Sequence, residues 1–80
     1  KIRTMANTNI KQKVGKIEFT MDKNNLRLRA KIGSNLTFIG GTNNNGYFSD
    51  SDSVKAFIKT NTEVFQSIKT MDQLIYAKLN

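Results

Sequence analysis

The stretch Lys16-Ile17-Glu18-Phe19-Thr20-Met21-Asp22-Lys23-Asn24-Asn25-Leu26-Arg27-Leu28-Arg29-Ala30-Lys31-Ile32 decides the fold. Apolar and polar residues alternate on both sides of the turn cluster Asp22-Lys23-Asn24-Asn25. A period of two marks strands with one buried face, so the stretch predicts an antiparallel hairpin. A four-residue loop pairs Met21 with Leu26, Phe19 with Leu28 and Ile17 with Ala30. On the opposite face it pairs Thr20 with Arg27, Glu18 with Arg29 and Lys16 with Lys31. That register collects the apolar side chains on one face and the charges on the other.

Downstream, Gly33-Ser34-Asn35 signals a second turn before a short strand, Leu36-Thr37-Phe38-Ile39. A three-residue loop sets Ile32 opposite Leu36 and Ala30 opposite Phe38 on the apolar face. Thr37 and Ile39 then join the charged face. The run from Gly40 to Gly46 reads as a loop, and Asn45-Gly46 is a turn signal that makes Tyr47-Phe48 a candidate fourth strand. Ser49-Asp50-Ser51-Asp52-Ser53 is rich in residues that cap helix N-termini, and Val54, Phe57, Ile58, Phe65 and Ile68 follow at helical spacing. Thr60 with Glu63 and Thr70 with Gln73 are candidate capping boxes, so the tail is predicted helical in two or three pieces.

Upstream, residues 1–13 are polar and basic without a usable period, and are expected to form a flexible arm or a loosely attached first strand. Met5-Ala6-Asn7 has the form of a natural start, so residues 1–4 are expected to be leader sequence or the chain a piece of a longer one. The predicted organisation is an arm over 1–13 and a single small α+β domain over 14–80. Its sheet is a meander of three strands, or four with Tyr47-Phe48, packed on one face by C-terminal helices. The expected core is Ile17, Phe19, Leu26, Leu28, Ile32, Leu36, Phe38, Val54, Phe57, Ile58, Phe65 and Ile68.

Composition narrows the chemistry. The 80 residues contain no Cys and no His, which excludes disulfides, zinc sites and Ser-His or Cys-His nucleophiles. No apolar run reaches the ~18 residues of a membrane span, so no membrane partner is expected. Asp50 and Asp52 lack the glycine and terminal acid of a calcium loop and suit helix capping better. Gly40-Gly41 is not followed by the Gly-Lys-Ser/Thr of a phosphate loop. No cofactor is expected, and the chain does not read as an enzyme. A cytoplasmic location, with a virion as the other candidate, fits these features.

Charge carries more information. The net charge of +7 falls wholly within residues 1–31, which hold nine cations against two acids, while residues 32–80 hold four of each. Arg27, Arg29 and Lys31 alternate along one strand, with Lys16 opposite and Thr20 and Thr37 alongside. A cationic sheet face backed by helices suits a polyanion, and two- or three-stranded ribbons enter the major groove of DNA. Lys11 and Lys13 of the arm are candidate additional contacts. In this register Phe19 and Phe38 lie on the opposite face, which leaves no aromatic among the cations and favours duplex DNA over single strands. The rival expectation is a structural or protein-interaction subunit of a virion, ribosome or inhibitor type. Leu74, Ile75 and Leu79, with Tyr76, would then form an oligomer seam, or the cationic surface would dock on an acidic protein partner.

The pattern Gly15-Lys16-Ile17-Glu18 followed by Asn25-Leu26-Arg27-Leu28-Arg29 resembles the arm-binding module of phage-type tyrosine integrases, over roughly residues 14–65. That resemblance implies a three-stranded sheet inserted into the major groove, with the helix behind it and Arg27, Arg29 and Lys31 at the contact positions. The long loop from Asn43 to Asp52 and the tail beyond Ile68 depart from it. Eighty residues cannot hold the catalytic domains of such enzymes, so the resemblance carries no recombination chemistry.

Overall fold

The computed structural model describes residues 8–39 and 48–79. One antiparallel meander contains β1 (Ile10–Val14), β2 (Ile17–Met21), β3 (Leu28–Ile32) and β4 (Asn35–Ile39), in that spatial order. Three helices follow, α1 (Ser51–Thr60), α2 (Thr62–Ser67) and α3 (Met71–Ile75). α2 packs against β1 and α3 against β4. This is the α+β architecture predicted from the alternation.

The fourth strand stands at the start of the sheet. Residues 10–13, expected to be part of a flexible arm or a loosely attached first strand, take the strand form, with β1 paired to β2 from Ile10 opposite Met21 to Val14 opposite Ile17. Gly15-Lys16 is therefore a two-residue turn, and Gly15 has φ of 59°. Primed turns of this length need a positive φ that glycine adopts without penalty. Thr8 and Asn9 are held as well: the Thr8 N–H donates to Ser51 Oγ at 3.3 Å, and the Lys23 N–H donates to Asn9 Oδ1 at 2.8 Å. Of the candidate strand Tyr47-Phe48, Tyr47 lies outside the described residues. Phe48 is not in a strand, and its N–H donates to the Leu26 carbonyl at 2.7 Å.

The β2–β3 register differs from expectation by two residues. Glu18 faces Lys31, Phe19 faces Ala30 and Thr20 faces Arg29. Six residues, Asp22 to Arg27, form the connection, closed by the Asn25 N–H to the Asp22 carbonyl and the Asn24 N–H to Asp22 Oδ1, both at 3.0 Å. A shift of two keeps every side chain on its predicted face.

The β3–β4 register differs by one, and that has larger consequences. Ile32 faces Asn35, Lys31 faces Leu36, Ala30 faces Thr37 and Arg29 faces Phe38. Gly33-Ser34 is another two-residue turn, with Gly33 at φ 60°. A slip of one exchanges the faces of a whole strand. Leu36 and Phe38, expected in the core, stand 52% and 42% exposed, whereas Ile39 is buried and Thr37 half-buried on the inner face.

The helices follow their caps. Asp50 accepts a 2.7 Å bond from the Ser53 N–H at the start of α1, and Asp52 and Lys59 complement the helix dipole at its two ends. The Thr70–Gln73 capping box forms at α3. The one expected at Thr60–Glu63 does not: Asn61 both ends α1 and starts α2, without a side-chain cap to α2. Asn61 is buried, its Nδ2 donating to the Phe57 carbonyl at 2.9 Å and its carbonyl accepting from the Phe65 N–H at 2.9 Å. It thus joins the two helices at a bend.

Between sheet and helices lie Ile17, Phe19, Leu28, Val54, Ile58, Phe65 and Ile68, as expected, together with Ile10, Val14, Met21, Ala30, Ile39, Phe48 and Leu74. Leu26, Ile32 and Phe57 are half-buried against that core. Four aromatic rings run in a file across it. Phe19 and Phe65 have centroids 4.8 Å apart, Phe65 and Phe57 6.0 Å, and Phe57 and Phe48 5.4 Å, all tilted or edge-on. Such geometry adds about 0.5–1.5 kcal/mol per pair to the area each ring buries.

Candidate nucleic-acid interface

The helices cover one side of the sheet, so the outward side chains of all four strands share the other. Strand alternation and register arrange them in two rows. Lys11, Thr20, Arg29 and Phe38 form one, and Lys13, Glu18, Lys31 and Leu36 form the next. Arg27 directly precedes β3 on the same alternation. Its guanidinium carbon lies 4.2 Å from the centre of the Phe38 ring, and that of Arg29 lies 6.0 Å away. Both contacts are within cation–π range.

Six of the eight expected contact residues fall on this face, namely Lys11, Lys13, Thr20, Arg27, Arg29 and Lys31. Among the described residues, five cations thus share it with one carboxylate, Glu18, which stands between Lys13 and Lys31 in register rather than opposite Arg29. The other two expected residues lie elsewhere. Lys16 is exposed in the β1–β2 turn at the end of the sheet. Thr37 points to the inner side, where a groove of about 260 Å³ at the β4 edge is lined by Thr37, Ile39, Leu74, Ile75 and Leu79, with Phe38 also on its border.

The structure adds Phe38 and Leu36 to the face. Two signals for them were present in the sequence: Gly-Ser is a favoured two-residue hairpin turn, and the β1–β2 turn repeats the same Gly-first pattern with Gly15-Lys16. Reading Gly33-Ser34 as a two-residue loop sets Asn35 opposite Ile32, which sends Leu36 and Phe38 outward.

An open recess of about 350 Å³ between β1 and β2 is lined by Lys11, Gln12, Lys13, Glu18, Phe19 and Thr20. Two ammonium groups and a hydroxyl around such a recess can receive a phosphate or sugar oxygen, while the carboxylate sets a limit on how much negative charge it accepts. Asp50 and Asp52, weighed above as calcium ligands, serve α1 instead. Among the described residues no group of three or more acids, His or Cys converges on a point, and no helix is long and apolar enough to cross a membrane.

The expected oligomer seam is divided by the fold. Leu74 is core, Leu79 is partly buried, and Ile75 and Tyr76 are 55% and 83% exposed. Comparison with protein-family models, with curated proteins and with solved structures found no match to this chain.

Proposed function

We propose that the chain is a small nucleic-acid-binding module, not an enzyme, and that the outer sheet face is its contact surface. The observation that carries this reading is the gathering of Lys11, Lys13, Arg27, Arg29 and Lys31 on one side of the sheet with a single carboxylate among them. Packing does not require cations at these positions, because any polar side chain suits an outward strand position. Five cations at strand and row spacings of about 7 and 5 Å form a patch on the scale of neighbouring phosphates. The docking implied by the integrase resemblance, with the sheet in the major groove, is the duplex form of this proposal. The face is not free of aromatics, since Phe38 stands among the cations, and so does not by composition favour duplex over single strands.

The test is fluorescence anisotropy of the full chain with duplex and single-stranded DNA across a salt series. Engagement of ~4–6 phosphates gives a log–log slope of about −4 to −5 on duplex, or about −3 to −4 on single strands. Absence of salt-dependent binding refutes the proposal.

A second reading, assembly through the β4 side, is supported by a different observation. β4 has no charged residue, unlike β1 with Lys11 and Lys13, and the exposed Ile75 stands beside it across the groove. Charged side chains on an edge strand discourage pairing, and their absence permits it. Light scattering of the wild type and of Ile75→Asp separates the readings. A nucleic-acid module retains binding in Ile75→Asp, while an assembly formed at this edge dissociates.

A further inference from the structure

The face described above is more than cationic, and its composition bears on which nucleic acid it takes. The geometry points to Phe38 and Arg27 as a base-stacking platform, and so to single-stranded nucleic acid as the ligand class. This inference rests on the proposed nucleic-acid function and specifies it.

Phe38 is a large apolar side chain left 42% exposed on a surface where three cations, Arg27, Arg29 and Lys31, are its neighbours by row or diagonal. Water is an unfavourable neighbour for the ring, which borders the groove beside α3 on one side and the cations on the other. Arg27 lies over it at 4.2 Å, and Arg29 approaches at 6.0 Å. A guanidinium plane and an aromatic ring are the two protein surfaces on which nucleobases stack. Here they occur together, surrounded by the Lys and Arg side chains that would hold the flanking phosphates.

Duplex bases present only their edges, because their planar faces are already stacked. Unstacked bases of a single strand offer a free face to Phe38 or to Arg27. A chain laid from β4 towards β1 crosses three inter-strand steps, roughly 14 Å. It would run from the stacking platform over Arg29 and Thr20 to the recess between Lys11 and Lys13. Leu36, 52% exposed beside Lys31, extends the apolar part of the platform along β4.

The experiment compares four probes of equal phosphate number by anisotropy at one salt concentration. They are oligothymidylate of about twelve nucleotides, oligouridylate, an abasic sugar-phosphate oligomer and a duplex. The expected result is an advantage of about ten-fold for one or both base-bearing single strands over the abasic oligomer and the duplex. The two base-bearing arms distinguish DNA from RNA. Phe38→Leu, a substitution at an exposed position, should reduce the base-bearing probes to the abasic level, and Phe38→Tyr should retain the advantage.

Equal binding of base-bearing and abasic probes, a duplex bound as tightly as the single strands, or an undiminished advantage in Phe38→Leu would each overturn the stacking role. Salt-dependent binding in those cases leaves the nucleic-acid function standing. Failure of all four probes to bind overturns both. The wild-type comparison is decisive without any variant.

Discussion

The Arg27 guanidinium covers the Phe38 ring, 4.2 Å from its centroid, although register sets Phe38 opposite Arg29 and not opposite Arg27. The contact is diagonal, across the end of β3 to the fourth residue of β4. Diagonal neighbours in an antiparallel pair are within reach only of long side chains. Arg27 meets that requirement and brings a planar cation with it. A lysine would bring the charge without the plane.

That difference gives the first prediction. Arg27→Lys should leave the salt slope of binding unchanged, because one cation replaces another, yet lose part of the preference for base-bearing over abasic strands. Arg27→Ala should lose preference and also reduce the slope by about 0.7 on a single strand. Stability should fall by less than about 1 kcal/mol in either variant, in keeping with an exposed cation–π pair. Anisotropy over a salt series with both probe types measures the binding effects, and urea unfolding the stability. Equal behaviour of the Lys and Ala variants on every probe would refute a role for the guanidinium plane.

The one-residue slip of β4 can be tested by charge. Leu36→Lys places an ammonium on the outer face beside Lys31 and should change stability by about 0.5 kcal/mol or less. Ile39→Lys places it against the core and should destabilise by several kcal/mol, enough to unfold a domain of this size. Under a three-residue Gly33-Ser34-Asn35 loop the two outcomes would be exchanged. Thermal unfolding by circular dichroism distinguishes them.

Two glycines share one backbone conformation and differ in surroundings. Gly33 has φ of 60° with nothing within 4 Å of the position of an added Cβ. Alanine there should cost about 1 kcal/mol, the left-handed penalty alone. Gly15, with φ of 59°, faces the α2 backbone, and an added Cβ would lie 3.2 Å from Gln66 Cα and 3.3 Å from the Phe65 carbonyl oxygen. Neither atom can move without moving the helix. Gly15→Ala should therefore cost at least about 2 kcal/mol, the same penalty plus displacement of α2. Equal shifts in urea midpoint would mean that the β1–β2 turn does not seat on α2.

The acid limb of stability should depend on Asp50. The Ser53 backbone N–H, with help from the Ser53 hydroxyl, holds the Asp50 carboxyl below its ordinary value of 3.8. A carboxylate depressed by folding stabilises the native state at pH above its unfolded value, and that stabilisation is lost as pH falls through the folded one. Asp50→Asn keeps an oxygen that can accept from Ser53 but cannot titrate. Its stability should lie closest to that of the wild type in acid, and the two should separate as pH rises past about 4. Thermal midpoints across the acid range check this. A constant difference between the two proteins would refute the assignment.

Local chemistry alone determined much of this protein. Alternation from Lys16 to Ile32 specified paired strands, because a half-buried strand must repeat every second residue. The Ser-Asp run and Thr70-Gln73 announced helix starts, because the first backbone N–H groups of a helix need acceptors. The charge split between residues 1–31 and 32–80 pointed to a basic sheet before any strand was paired. Pairing was a different matter. Ile10–Val14 has too weak a period to declare itself and becomes a strand by bonding to β2 and resting on α2. Whether Gly33 begins a loop of two residues or three is a difference of one backbone step. Hydrophobicity favoured three, which buries Leu36 and Phe38. The tertiary structure has two, with Gly33 at positive φ and Ile39, rather than Phe38, against the core beside α3. Strand alternation then fixes the outer face, and an aromatic ring assigned to the core by its own hydrophobicity stands among the cations.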